Sequence, residues 1–226
     1  MPDISETSTT RLFYITILCI ILYVALDAIA QSLPPHYSPI SQAESDLAIG
    51  NFGFIMTFNF LNRGFLSFTF IFAFLRTLDR FHIPRSQFRS STALLGIWSI
   101  GALLLAVFPT DVPATPMSWH GAIHLAVALV AFIAGAFGTF LISRRLGENR
   151  ELQGLKRLAL PLSAIVVILW ALEFCLPFVA PHLNLRIGGL TERLFLGSVL
   201  LWMGVVSFFL EGDVLPSKAV PTQAYA

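Results

Sequence analysis

The sequence predicts an all-α integral membrane bundle of six transmembrane helices with both termini cytoplasmic. Hydrophobic residues make up 56% of the chain, and charged residues make up only 12%. A soluble domain carries about 25% charged residues, because charged and polar side chains must cover its water-facing surface. Six separate apolar stretches supply the helices, and the positive charges between them give the orientation. This composition excludes a soluble domain.

Each apolar stretch is long enough to cross most of a bilayer. In lipid, every backbone N–H and C=O group needs a partner within the segment, so these stretches must be helices. At about 1.5 Å of rise per residue, each spans most or all of a hydrocarbon core about 30 Å thick. The third and sixth stretches are short, and we expect each to include flanking residues. The six stretches are residues 12–29, 52–75, 93–108, 119–142, 158–180 and 194–210.

The first stretch must be weighed against a signal peptide, because Ala28-Ile29-Ala30 resembles a cleavage site. Its apolar length favours an uncleaved first helix, whereas cleavage would leave five spans. The predicted organisation is a cytoplasmic N-terminus over residues 1–11, a transmembrane domain over residues 12–213 and a disordered cytoplasmic tail over residues 214–226.

Positive charges are concentrated on one side of the predicted bundle. Cytoplasmic loops carry an excess of lysine and arginine, so this side is predicted to be cytoplasmic and to contact membrane lipids. The opposite side has only Arg186 and Arg193. The net charge of +1 indicates no nucleic-acid partner. The basic side carries Arg11, Arg76, Arg80, Arg85, Arg89, Arg144, Arg145, Arg150, Lys156, Arg157 and Lys218.

Six chain segments bring polar groups to the predicted outer side. Ionisable groups at the bilayer centre cost about 2.5–3.5 kcal/mol, so their positions are the best indication of function. Their concentration on one side predicts a shared outward-facing polar site. The groups are Asp27, Glu44, Ser45, Asp46, Asp111, His120, His124, Glu173, Glu192 and Arg193.

Arg63 lies near the middle of the second predicted helix, one turn from Asn59. An isolated arginine at this depth is unstable, so we expect it to face the bundle and pair with Asp27, Glu173 or Glu192. A structural ion pair and a substrate-binding role are both open. In the second case the substrate-binding residues are Arg63, Asn59, Glu192 and Arg193.

His120 and His124 are four residues apart and share one face of a helix. This spacing lets two imidazoles bind one metal ion, and Asp111 on the adjoining loop can add a carboxylate. Two histidines and a carboxylate are a zinc or iron ligand set, so Zn²⁺ is the predicted cofactor. The alternative is a pair of interfacial histidines that pack beneath Trp119.

Acid–base chemistry at this site is assigned to Asp46 or Glu173 as the catalytic base. A serine triad built from Ser45 or Ser118, a histidine and Asp111 is a weaker alternative, because no nucleophile-elbow sequence surrounds either serine. The run from Ser41 to Glu44 fits a capping box. It predicts a short helix in the first outer loop with Glu44 as a cap.

Three short segments resemble the bacterial membrane proteins grouped as domain of unknown function 998. They are His36-Tyr37-Ser38-Pro39-Ile40-Ser41 leading to Glu44-Ser45-Asp46-Leu47-Ala48-Ile49-Gly50, Phe108-Pro109-Thr110-Asp111 followed by His120-Gly121-Ala122-Ile123-His124, and Gly189-Leu190-Thr191-Glu192-Arg193. The resemblance implies a multi-pass protein of the bacterial cytoplasmic membrane. It implies no particular activity.

A fainter likeness is to membrane hydrolases of the alkaline-ceramidase type, which combine serine, aspartate and histidines around zinc. Ser45, Asp46, Asp111, His120 and His124 could take those parts. This chain departs from that pattern because it has six predicted helices rather than seven. Its histidine pair also lies on the fourth helix rather than the last.

Three functions are therefore compatible with the sequence. The first is a metal-dependent hydrolase that acts on a lipid or lipid-linked substrate from the outer leaflet. The second is a non-enzymatic transporter, sensor or lipid-binding membrane subunit, which could form a homodimer. In the third, the polar cluster only holds the helices together.

Overall fold

A computed structural model describes residues 4–179 and 186–211, and within them the chain is helical and contains no strand. Among these residues, six helices are long and apolar enough to cross a membrane. The predicted all-α class and the predicted number of apolar helices are confirmed, and six such helices are typical of a multi-pass membrane protein. The direction of insertion stays a prediction. The helices are α1 Ile4–Ser32, α2 Gly53–Arg80, α3 Arg89–Val107, α4 Trp119–Leu146, α5 Gln153–Val179 and α6 Gly188–Glu211.

The two short predicted spans do extend into flanking residues. A single turn of 3-10 helix, Arg85–Phe88, leads directly into α3 and lengthens the apolar span to 23 residues. Helix α6 begins at Gly188, ahead of the apolar stretch that predicted it. The predicted tail over residues 214–226, with Lys218, lies outside the described residues.

Successive helices pack side by side, and α1 also packs against α6, so the six helices form a closed ring. Neighbouring helices run in opposite directions, because the ends of α1 and α5 contact the start of α6 and Phe108 after α3 contacts His124 near the start of α4. We call the end where α1, α3 and α5 finish and α2, α4 and α6 begin the acidic end. We call the opposite end, which carries most of the arginines, the basic end. Helix α2 is the most buried span, whereas α1 and α5 are the least buried.

Aromatic side chains fill the bundle beneath the acidic end. Trp98 on α3 donates its indole N–H to Ser67 Oγ on α2 at 3.1 Å, and Trp202 on α6 donates to Ser143 Oγ on α4 at 2.8 Å. Gly135 lets α4 approach Trp98, because a Cβ at that position would lie 2.6 Å from the indole ring. These contacts fill the interior of the bundle beneath the acidic end.

Candidate functional site

Arg193, on the first turns of α6, holds the connection between α1 and α2 against the acidic end. Its Nη1 donates to the carbonyl oxygens of Pro39, Gln42 and Gly189, each at 3.2 Å. Two of these acceptors belong to the connection and one belongs to α6. The guanidinium therefore joins two segments that are far apart in the sequence.

The other side of the same guanidinium reaches Tyr37 and α1. Arg193 Nη2 donates to the Tyr37 hydroxyl and lies 3.7 Å from Asp27 Oδ1, and the guanidinium also lies over the Tyr37 ring. Burial raises the pKa of the Tyr37 hydroxyl, so the hydroxyl stays neutral. Arg193 is thus occupied by protein groups.

A group of carboxyls, one of them fully buried, lies beside this arginine. The Tyr23 hydroxyl of α1 donates to Glu44 Oε1, and the Glu44 N–H donates to Glu192 Oε2 at 2.7 Å. The Thr191 hydroxyl donates to Glu173 Oε2, which joins α6 to α5. Burial, together with the nearby charge of Asp27, raises the pKa of Glu44 to about 7. Each of these three carboxyls thus accepts a hydrogen bond from a backbone N–H or a hydroxyl group, and Glu44, the most deeply buried of them, is 2% exposed.

Arg63 is 1% exposed, and aromatic rings surround its guanidinium. Its Cζ lies 5.0 Å from the centre of the Trp98 ring and 5.4 Å from that of Phe60. Its Nε atom has no hydrogen-bond partner. In the part of the chain that the structure describes, Arg63 makes no ion pair within 4.0 Å.

The prediction that Arg63 pairs with Asp27, Glu173 or Glu192 is therefore wrong. Asp27 pairs with Arg193, Glu173 accepts from Thr191, and Glu192 accepts from the N–H of Glu44. These carboxyls are engaged near the start of α6, whereas Arg63 lies about 15 Å below the start of α2. The groups in direct contact with the guanidinium are aromatic faces, and the charge of Glu44 acts on it only from beyond ion-pair distance.

A cavity of about 410 Å³ opens between the α1–α2 connection, the α3–α4 connection and helices α2 to α6. It brings together most of the predicted site residues. Asn59, His120 and Arg193 do not line it. Its charged or titratable lining residues are Asp46, Arg63, Asp111, His124, Glu173 and Glu192, and its apolar lining includes Phe60, Leu105, Leu125, Ala128 and Phe132.

Asp111 stabilises the N-terminal cap of α4 through Ser118. Its Oδ2 accepts the Ser118 N–H at 2.8 Å, and its Oδ1 accepts the Ser118 hydroxyl at 2.6 Å. Ser118 Oγ in turn accepts the N–H of Gly121 at 3.1 Å and caps the helix. The hydrogen bonds from Ser118 lower the pKa of Asp111. Both carboxylate oxygens and the serine hydroxyl are therefore used in this cap.

The two histidines of the predicted metal site have different surroundings. His124 Nδ1 is 2.7 Å from the Phe108 carbonyl oxygen, whereas the His120 ring packs on Trp119 and its buried Nδ1 has no hydrogen-bond partner. A carbonyl oxygen only accepts, so His124 Nδ1 carries the proton and Nε2 remains for a ligand. Within residues 4–179 and 186–211, no three His, Cys, Asp or Glu side chains are grouped to hold one metal ion. Zinc binding by Asp111, His120 and His124 stays a prediction.

Comparison with known proteins gives the family. A family model described as "Protein of unknown function (DUF998)" matches residues 17–208, which reach from α1 to α6. The chain belongs to the DUF998 family. The resemblance that the three short segments carry is thereby confirmed. No curated protein and no solved structure matches the chain, and the likeness to alkaline ceramidases gains no support.

Two features of this DUF998 site were not predicted. Tyr23 and Tyr37 supply hydroxyls to the network, and the available signal was Tyr23 lying one helical turn before Asp27 inside an apolar stretch.

The short helix that the sequence predicts in the first connection is confirmed as Glu44–Ala48. The capping box is wrong, because Ala43 occupies the N-cap without a side-chain bond and the Glu44 carboxyl points to Tyr23.

The cap at the start of α4 gives a stability prediction for the DUF998 chain. A Cβ on Gly121 would lie 2.0 Å from Asp111 Oδ2, so Gly121→Ala must displace the carboxylate that holds Ser118. We expect a loss of about 1–2 kcal/mol, the usual effect of losing an N-cap. Thermal unfolding in detergent micelles, followed by circular dichroism, measures it. Gly96→Ala on α3 is the control, since a Cβ there meets nothing within 4 Å; equal Tm shifts in both variants would contradict the prediction.

Proposed function

We propose that this protein binds an amphiphile with a phosphate headgroup in the cavity at its acidic end, and that Arg63 binds the phosphate. The proposal is supported above all by a buried guanidinium at the cavity wall without an ion pair. Removing such a cation from water costs several kcal/mol. Cation–π contacts return about 2 kcal/mol. An anion that enters the cavity supplies the missing partner, and a guanidinium can hold a phosphate with two parallel hydrogen bonds.

The apolar part of the ligand follows from the remaining walls of the cavity. Met117, Leu125 and Val112 line it and are 67%, 60% and 53% exposed, so apolar surface reaches its opening. Phe132 and Phe60 line it deeper in the bundle. A headgroup at Arg63 therefore leaves acyl chains against apolar side chains, which is the combination that ligand sites usually present.

The test compares dioleoyl phosphatidic acid with dioleoylglycerol, which lacks the phosphate. Binding of each to the purified full chain in detergent is measured by native mass spectrometry. We expect phosphatidic acid to bind more tightly, and Arg63→Gln to weaken its binding at least about tenfold, since hydrogen bonds to charged groups contribute about 1.5–3 kcal/mol. Arg144→Gln, at an exposed position at the basic end, is the matched control.

A second variant separates binding from folding. Ala128→Phe puts a large side chain into the cavity and leaves Arg63 unchanged. We expect it to fold and to lose phosphatidic acid binding. Equal binding of the two lipids, unaffected by Arg63→Gln or Ala128→Phe, would overturn the proposal.

Hydrolysis of the bound amphiphile is the second candidate, and one observation favours it. Asp46 lines the same cavity as Arg63, and burial raises the pKa of its carboxyl above the ordinary value. A raised pKa brings a carboxyl closer to the range in which it exchanges protons near neutral pH. Products in the lipid extract after incubation with the wild type, and none with Asp46→Asn at equal binding, would support it. Intact lipid in both samples would contradict hydrolysis and would indicate a binding or transport protein.

A further inference from the structure

The cavity of the proposed function holds more carboxyls than cations. Four acidic residues line it together with Arg63, and they are Asp46, Asp111, Glu173 and Glu192. Both carboxylate oxygens of Asp111 already accept from Ser118, which leaves the other three carboxyls for a ligand. A phosphate alone would neutralise Arg63 while still facing the three carboxyls. Each of these carboxyls that is ionised would repel the phosphate, because like charges interact strongly in a poorly hydrated site. A ligand that carries only negative charge is therefore attracted by Arg63 and repelled by the carboxyls of the same cavity.

Two of these carboxyls keep acceptor capacity that the described residues do not use. Glu173 accepts from the Thr191 hydroxyl through Oε2, and Glu192 accepts from the Glu44 N–H through Oε2. No hydrogen bond to the other oxygen of either carboxyl comes from the described residues. The buried Nε of Arg63 has no hydrogen-bond partner, and one oxygen each of Glu173 and Glu192 has no donor among the described residues. All three residues line the same cavity.

We infer that the ligand is an amino-phosphate amphiphile, whose phosphate meets Arg63 and whose ammonium group meets Asp46, Glu173 and Glu192. This inference rests on the proposed function and deepens it. An ammonium group has three N–H donors, and a carboxylate only accepts, so three carboxyls around it satisfy both sides. A zwitterionic headgroup also brings a negative charge to the guanidinium and a positive charge to the carboxyls.

The experiment compares dioleoyl phosphatidylethanolamine with dioleoyl phosphatidic acid on the purified full chain in detergent. The two lipids differ only in the aminoethyl group. We expect phosphatidylethanolamine to bind about tenfold more tightly, as a charge-assisted hydrogen bond in a poorly hydrated site allows. Soluble O-phosphoethanolamine, added separately, identifies the source of the headgroup: binding as tight as that of the lipid assigns the site to a free amino-phosphate, and weaker binding assigns it to the lipid.

Glu173→Gln is the decisive variant. Its amide oxygen still accepts from the Thr191 hydroxyl, so the link between α5 and α6 is retained. We expect it to remove the preference for phosphatidylethanolamine and to leave phosphatidic acid binding unchanged or tighter. Glu148→Gln, at an exposed position at the basic end, is the matched control and should keep the preference.

Failure of this inference and failure of the proposed function give different results. If phosphatidic acid binds as tightly as phosphatidylethanolamine in the wild type and in Glu173→Gln, the ammonium subsite is absent while phosphate binding by Arg63 stands. If neither lipid binds in a way that depends on Arg63, the proposed function is lost, and this inference with it. Loss of the preference in Glu173→Gln but not in Glu148→Gln supports both.

Discussion

Replacement of Arg193 by methionine is expected to lower the free energy of unfolding by about 3–5 kcal/mol, the effect of removing one partner of a buried charged group. The carbonyl oxygens of Pro39 and Gln42 lose their guanidinium donor. Asp27 Oδ1, which has no hydrogen bond of its own, loses the nearby positive charge. Methionine keeps most of the side-chain length, so the loss comes from charge and hydrogen bonding rather than from a cavity.

Thermal unfolding of the purified chain in detergent micelles measures this effect. For a chain of this size, a loss of 3–5 kcal/mol corresponds to a Tm lower by about 10 °C. Arg186→Met is the matched control, because Arg186 is exposed just before α6 and such surface changes stay within about 0.5 kcal/mol. Equal Tm values for the two variants would contradict the role of Arg193 in holding the first connection.

The spans could be predicted because lipid imposes a rule that composition alone reveals. A backbone without water must be helical, so six apolar stretches had to become six helices. The gathering of polar groups at one end followed from the same rule together with the distribution of arginine and lysine. Asp46, Glu173 and Glu192 do line one cavity with Arg63. The sequence gives the depth of each residue along its helix, and this depth was enough to predict that these polar residues share one end of the bundle.

The partners of these groups could not be predicted, because they depend on the rotation of each helix and on the path of the loops. Sequence depth alone made Asp27, Glu173 and Glu192 equal candidates for Arg63. In the fold, Asp27 pairs with Arg193, Glu173 accepts from Thr191, and Glu192 accepts from the N–H of Glu44. The spacing of His120 and His124 is correct for one helix face, yet His124 Nδ1 bonds to the Phe108 carbonyl oxygen whereas the His120 ring packs on Trp119. Hydrogen-bond partners of this kind follow from tertiary packing alone.

The remaining prediction concerns the pH dependence of stability through Glu44. Its pKa in the folded protein is about 7, chiefly because the carboxyl is buried and also because Asp27 lies nearby, whereas the ordinary value is 4.5. Between these pH values the folded chain keeps a proton that the unfolded chain has lost. The free energy of unfolding therefore falls as the pH rises from about 4.5 to about 7, by about 3 kcal/mol in all. The raised pKa of Asp46 acts in the same direction, and the lowered pKa of Asp111 acts in the opposite one, below its ordinary value of 3.8.

Glu44→Gln isolates this contribution, because glutamine has the shape of the protonated acid and still accepts from the Tyr23 hydroxyl. Five groups act on Glu44, and the variant leaves all of them in place; they are Tyr23, Asp27, Arg63, Glu192 and Arg193. We expect similar Tm values for variant and wild type at pH 5, and a variant that is more stable by up to about 3 kcal/mol at pH 8. Glu148→Gln, at an exposed position, should follow the wild type at both pH values. Parallel pH profiles for wild type and Glu44→Gln would mean that Glu44 ionises as an ordinary glutamate, because only a proton held in the folded state can make the two curves diverge.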